Sequence, residues 1–298
     1  MTGADFVLDG LPALSRSTVD RADALRDNAE RLAKGWEEAR LVVIDERGRA
    51  RLAGDVLHLG WSGELGDAPV DGAVFLGEEN EVAYWAVRGP GADDWQDLRM
   101  CGALLNDTDA GLMTAAVGLL AWHDLSNFCA RCGAPTEAVR AGWARECTGC
   151  GREEYPRTDP AVICLVHDGD SHVLLARQPI WPAERYSVLA GFVEVGESLE
   201  ACVVREVGEE VGVAVRDVRY LGSQPWPFPR SLMVGFAALA DRDAPLAPAE
   251  GEIEHAKWVH RDEVRAAFEA GGAVPGLGLP GASSIAHRML GAWANVRS

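Results

Sequence analysis

The chain contains no run of about twenty apolar residues that could cross a bilayer, no internal repeat and no low-complexity tract. Its first residues, MTGADFVLDG, lack the basic start and apolar stretch of a signal peptide. With 48% hydrophobic residues, it is expected to be a globular, cytoplasmic protein. Positive charge is in short supply, since 28 basic side chains against 46 acidic ones leave a formal net charge of −18. That balance disfavours broad non-specific binding to nucleic acid or to anionic membrane. A polyanionic substrate would have to be met by metal ions or by local arginines.

Seven cysteines, an odd number in a chain without secretion signals, argue against a disulfide framework. Cys101, Cys164 and Cys202 stand alone in mixed or apolar surroundings and read as buried small apolar side chains. The other four, Cys129, Cys132, Cys147 and Cys150, fall in a C-x2-C-x14-C-x2-C pattern with a glycine after each pair, CARCG and CTGCG. A redox pair needs only one such motif in a βαβ context, and four unrelated thiols have no reason to space themselves this way. Two knuckles presenting four thiolates to one tetrahedral Zn²⁺ account for the spacing. A closed four-thiolate site leaves no coordination position open, so this metal is expected to hold structure and not to carry chemistry.

At 298 residues the chain has room for more than one domain. Residues 1–125 are expected to form a small mixed α/β domain: short apolar segments at 41–45, 74–77 and 82–87 alternate with Gly/Asp/Pro turns, followed by a helix over 108–124 preceded by Asp107 as its candidate N-cap. The four-cysteine module is placed at 126–157. Residues 158–298 open with a hairpin over 161–178. A helix near 198–211, two strands around residues 218–240 and helices near 261–271 and 282–296 follow, a mixed α/β (α+β) domain built on hairpins.

The stretch GFVEVGESLEACVVREVGEEVGV, from Gly191 to Val213, puts Glu206, Glu209 and Glu210 on one helical segment. At 3.6 residues per turn they share an arc of roughly 100°. Leu199, Val203 and Val207 flank that arc, so Glu206 and Glu210 should sit at the edge of the buried face. Clustered carboxylates repel one another there, and a divalent cation turns the repulsion into binding. Oxygen-only ligands with phosphates completing the shell select Mg²⁺ or Mn²⁺. Ser198 can cap the helix, Gly212 can end it, and Arg205 can pair with a carboxylate and fix its aim.

The full pattern, G-x5-E-x7-R-E-U-x-E-E-x-G-U with U apolar, is met by Gly191, Glu197, Arg205, Glu206, Val207, Glu209, Glu210, Gly212 and Val213. It resembles the signature box of the Nudix hydrolases. The resemblance implies an α/β/α sandwich, with Glu206, Glu209 and Glu210 as ligands of Mg²⁺ or Mn²⁺, Glu210 also bearing on the attacking water, and Glu197 orienting Arg205. In EIEHAKW, Glu252 is the candidate further ligand, with Glu250 and Glu254 as alternatives. Ten residues past Val213, SQPWPFPRS is similar to the array that marks the NADH pyrophosphatase branch of that family, which also carries a four-cysteine zinc ribbon. The branch implies hydrolysis of NADH or NAD⁺ to nicotinamide mononucleotide and AMP, and removal of NAD caps from RNA 5′ ends. Carried over by position, the contacts to substrate are Tyr155, Phe192, Gln224, Pro225, Trp226, Pro227, Phe228, Pro229, Arg230, Ser231 and Ala286. Aromatic faces such as Tyr155, Phe192 and Trp226 suit stacking on a base, with a place in the core as the alternative for Trp226 and Phe228. The branch also implies a homodimer. A Nudix enzyme for ADP-ribose or a dinucleoside polyphosphate is the alternative that the box alone leaves open.

Overall fold

The structure, a computed structural model, describes residues 6–296. Its contacts gather into two bodies. One holds residues 14–158 together with the pentapeptide 226–230, and the other holds the remaining described segments, 6–13, 159–225 and 231–296.

In the first body a four-stranded sheet runs in the order Leu59–Trp61, Arg40–Ile44, Val82–Arg88, Val74–Glu79. Alternation along these strands sends Val42, Ile44 and Leu76 to one face, and Leu41, Phe75 and Trp85 to the other. The first face packs against the helix Asp107–Leu125. That helix is buried almost all round, through Leu112, Met113, Ala116, Val117, Leu119, Leu120 and Trp122, so a single apolar stripe describes it poorly. Its cap is Asn106 and not Asp107: the Asn106 side chain accepts the Asp109 N–H, a contact typically worth about 1 kcal/mol. The cysteine module belongs to this body by its contacts and forms a three-stranded antiparallel sheet of Thr136–Val139, Ala144–Cys147 and Glu153–Glu154.

In the second body the sheet order is Val215–Trp226, Ser231–Ala240, Asp159–His167, His172–Arg177, His255–His260, with Leu189–Phe192 also paired to the Asp159–His167 strand. The expected hairpin is present, with His167 paired to Val173 in antiparallel register. Asp159–His167 also pairs in parallel with Ser231–Ala240, register Asp159 to Ser231. Val162, Cys164 and Val166 face the helix Leu199–Val211, while Ile163 and Leu165 face the helices Arg261–Glu269 and Ile285–Ala294. A sheet with helices on both faces is the α/β/α sandwich that the resemblance implies. Phe6 joins the core on the second face.

Candidate active site

The helix Leu199–Val211 starts at Ser198, whose hydroxyl accepts the Ala201 N–H, and ends at Gly212 in left-handed backbone. Val203, Val207 and Val211 seat it on the sheet. Because the carboxylates share the flank of that stripe, they grade in exposure: the Glu209 side chain is 60% exposed, that of Glu206 13%, and Glu210 as a residue 2%.

Arg205 organises the cluster. Its Nε and Nη2 donate to the two oxygens of Glu197, both at 2.8 Å, and its Nη1 donates to Glu206 at 2.9 Å and to Glu209 at 2.8 Å. The fork-on-fork pairing holds the Glu197 carboxyl down at about 2. Arg205 also donates to the carbonyl of Phe192, tying the helix to the strand Leu189–Phe192.

Glu210 is in a different condition. Burial pushes its carboxyl up to about 8, the charges of Glu206 and Glu252 add to that, and the backbone N–H of Ala190 opposes it. One of its buried oxygens, Oε2, has no hydrogen-bond partner among the described residues. An orphaned carboxylate oxygen, with the carboxyls of Glu206 and Glu252 near enough to raise its pKa, fits a divalent cation by donor type and by charge. The Glu206 carboxyl is itself raised, chiefly by burial. Of the three downstream candidates, Glu252 is the one whose charge acts on Glu206 and Glu210, whereas Glu254 is engaged by Arg177 at 2.9 Å. The Glu252 loop is pinned to the helix end through Ala247 N–H on Val211 and Ala249 N–H on Glu210.

The four cysteine sulfurs lie within 4.8 Å of one another, the one such set of potential ligands among the described residues. Cys129 to Cys150 is 3.8 Å and Cys132 to Cys147 is 3.4 Å. These separations are far beyond a disulfide bond and close to the roughly 3.8 Å edge of a tetrahedron with Zn–S bonds of about 2.3 Å. Backbone N–H groups of Gly149 and Cys150 point at the Cys147 sulfur and that of Arg131 at Cys129. The Cys147 thiol is pushed down to about 6, with the Cys150 N–H as the largest cause. Four sulfurs at this spacing fit zinc.

The candidate substrate residues are dispersed. Phe192 presents 60% of its surface to solvent. Ser231 and Ala286 are buried, and the buried Gln224 gives its amide to the Ser283 carbonyl at 3.0 Å. Trp226 and Phe228 stand edge to face at 4.9 Å and pack on the first body's core, with Arg99 stacked 4.1 Å over Phe228. Pro227 is buried as well, while Pro225 and Arg230 are partly covered and Pro229 is exposed. Tyr155 is exposed in the first body, its hydroxyl bonded to Glu153. Sequence reasoning missed the Ala190 amide on Glu210, because a backbone donor leaves no trace in residue identity.

Two segments of the chain match known domain families. Residues 157–275 match the NUDIX domain, and residues 124–155 match the NADH pyrophosphatase zinc ribbon domain. The chain is 51% identical to a Mycobacterium bovis protein named NAD-capped RNA hydrolase NudC, over 99% of this chain and 98% of that one. A Mycobacterium tuberculosis protein of the same name is 50% identical over the same shares. One from Deinococcus radiodurans is 42% identical over 66% of this chain and 67% of its own length.

Proposed function

The chain belongs to the NUDIX hydrolases, in the branch that carries the NADH pyrophosphatase zinc ribbon, and on that premise we propose that it hydrolyses the diphosphate of NADH and NAD⁺ to nicotinamide mononucleotide and AMP and removes NAD caps from RNA 5′ ends. Water adds to one phosphorus, the bridging oxygen leaves with the other nucleotide, and two monophosphates result. The observation that carries the reading is the buried, orphaned Glu210 carboxylate beside Glu206 and Glu252, in a chain that matches NAD-capped RNA hydrolases from end to end.

Glu206, Glu209 and Glu210, with Glu252, are the residues that would hold Mg²⁺ or Mn²⁺, which when bound neutralises phosphate oxygens and lowers the pKa of water. Glu210, already raised toward neutrality by burial, is the group suited to accept the proton of the attacking water. Arg205 fixes the directions of Glu206 and Glu209 and is itself held by Glu197. The zinc ribbon keeps its strands in register and takes no part in the bond cleavage. Phe192 and Tyr155, each exposed in its own body, are proposed to stack on the rings of substrate. Gln224 and Ser231, with Ala286 and the Pro225–Arg230 stretch, complete the proposed contacts. The net charge of −18 favours a mode in which RNA is held at its capped end with few backbone contacts. A homodimer is proposed from the family resemblance. Among the described residues no helix is long and apolar enough to cross a membrane, and a cytoplasmic site of action is proposed.

Mass spectrometry of the products from NADH with Mg²⁺ or Mn²⁺ tests the reading. AMP and reduced nicotinamide mononucleotide are expected, and the absence of both under either metal would overturn it. A parallel panel of ADP-ribose and dinucleoside polyphosphates separates NAD(H) preference from the broader Nudix alternative, and sedimentation velocity reads the oligomeric state.

A further inference from the structure

The Glu252 side chain is exposed and meets no ion-pairing partner among the described residues. The backbone on either side of it therefore sets where its carboxylate points. Upstream, that backbone is tied to the helix Leu199–Val211. Glu252 N–H and Ile253 N–H both donate to the Ala249 carbonyl, at 3.2 Å and 2.9 Å, and Ala249 N–H donates to the Glu210 carbonyl at 2.9 Å. Ile253 is buried in the same core as Val207 and Val211. Otherwise the stretch 241–254 contains no helix or strand to stiffen it.

Downstream the hold is Arg177. Its carbonyl accepts Glu254 N–H at 2.8 Å, and its Nη1 reaches the Glu254 carboxylate at 2.9 Å. One residue thus holds both the main chain and the side chain two positions past Glu252. Arg177 is a firm base for this: it ends the strand His172–Arg177 in register with His255, and its guanidinium lies 6.0 Å from the centre of the Tyr186 ring. Tyr186 is buried, with its hydroxyl 2.9 Å from His255 Nδ1 and the Lys257 ammonium 4.3 Å over its ring. The Glu254 side chain is 47% exposed, and a pair so open to water adds little to global stability. What it does fix is the exit of the Glu252 segment, and groups that aim a metal ligand weigh on affinity well beyond their worth to the fold.

We propose that Arg177 is a positioning residue: gripping Glu254 through its carbonyl and its guanidinium, it holds Glu252 in place as a ligand of the catalytic divalent cation. The ligand role of Glu252 rests on the metal-site reading above, and the grip on Glu254 rests on the contacts alone. Arg177 acts through Glu254 and is not itself a ligand.

Mn²⁺ binding to the full-length, zinc-loaded protein without substrate, read from the electron paramagnetic resonance of free Mn²⁺, tests this apart from turnover. Glu252→Gln should weaken the binding. Arg177→Met should weaken it by about tenfold, the lower end of what an outer-shell partner is worth, while the urea midpoint hardly moves. Arg177→Lys should restore most of the affinity. Added to Glu252→Gln, Arg177→Met should cost nothing further, because it acts through Glu252. Wild-type affinity in Arg177→Met, or a further loss in the Glu252→Gln background, would overturn the proposal. So would tighter binding, which would make Glu254, once freed from Arg177, the ligand itself. Should Arg177→Met fail to fold, Glu254→Gln at the exposed end of the pair decides: the proposal requires a loss of affinity alone and none in the Glu252→Gln background, and either other result overturns it. Mn²⁺ affinity that Glu252→Gln leaves untouched is instead a failure of the metal-site reading, and the proposal falls with it.

Discussion

The backbone of Gly191 runs so close to the Glu206 carboxylate that a Cβ built on it would lie 1.8 Å from the carboxyl carbon and 2.1 Å from each oxygen. No residue but glycine fits without displacing a proposed metal ligand. Gly191→Ala should therefore swing Glu206 aside, raise the Mg²⁺ concentration needed for half-maximal rate, and lower kcat about tenfold or more. Metal titration of the variant checks this, and an unchanged metal dependence would separate Glu206 from the metal site.

Glu210 sets stability against function. A buried carboxyl raised to about 8 burdens the fold at neutral pH, and glutamine keeps its shape without the charge. Glu210→Gln should lower turnover by about 10²- to 10⁴-fold while raising stability by on the order of 1–3 kcal/mol. Paired measurements of kcat and urea midpoint read both, and near-normal turnover would remove Glu210 from the proton-accepting role.

Much of this site was legible in the sequence because it is local. Glu197, Arg205, Glu206, Glu209 and Glu210 lie within fourteen consecutive positions, 197–210, so helical spacing alone puts them on neighbouring faces, and the cysteine spacing points to a four-thiolate cluster in the same way. What escaped was non-local. The parallel pairing of Asp159–His167 with Ser231–Ala240 joins segments some seventy residues apart. The packing of Trp226 and Phe228 on a core built from residues between Leu14 and Leu120 likewise depends on tertiary arrangement that no residue pattern encodes. Asn106 displaced Asp107 as cap because both residue types cap well and only the backbone turn decides between them.

Cys129→Ser removes one of four sulfurs from a cluster that leaves no substitute donor within reach among the described residues. Zinc content should fall well below one per chain and thermal stability should drop, by on the order of several kcal/mol. Elemental analysis with calorimetry checks the prediction, and a zinc-free variant that melts like the wild type would refute a structural role for the metal.

His167 supplies a pH dependence. It ends its strand almost fully buried, its Nδ1 accepts the Gly169 N–H, and its ring stands edge-on to Phe6. Burial lowers its pKa to about 4, with Asp168 opposing and Arg219 and Arg261 adding to the drop. The folded state keeps His167 neutral while the unfolded chain takes up a proton below about 6.5. Its contribution is therefore fully present above that pH and is lost as pH falls from about 6.5 toward 4, by up to ~1.4 kcal/mol per unit. Urea midpoints at pH 7 and pH 5 should fall less steeply in His167→Gln than in the wild type, and parallel slopes would contradict the assignment.

Residues 226–230 are carried by one stretch of the gene and housed in the body that an earlier stretch encodes. A shortened chain beginning near residue 158 would keep Trp226 and Phe228 and lose the core that they pack against, leaving two large rings bare to water and prone to self-association. Trimming the catalytic portion away from its forerunner, whether by a cloning primer or by a natural deletion, therefore costs more than an accessory module: the tip of the aromatic loop loses the floor on which it was laid.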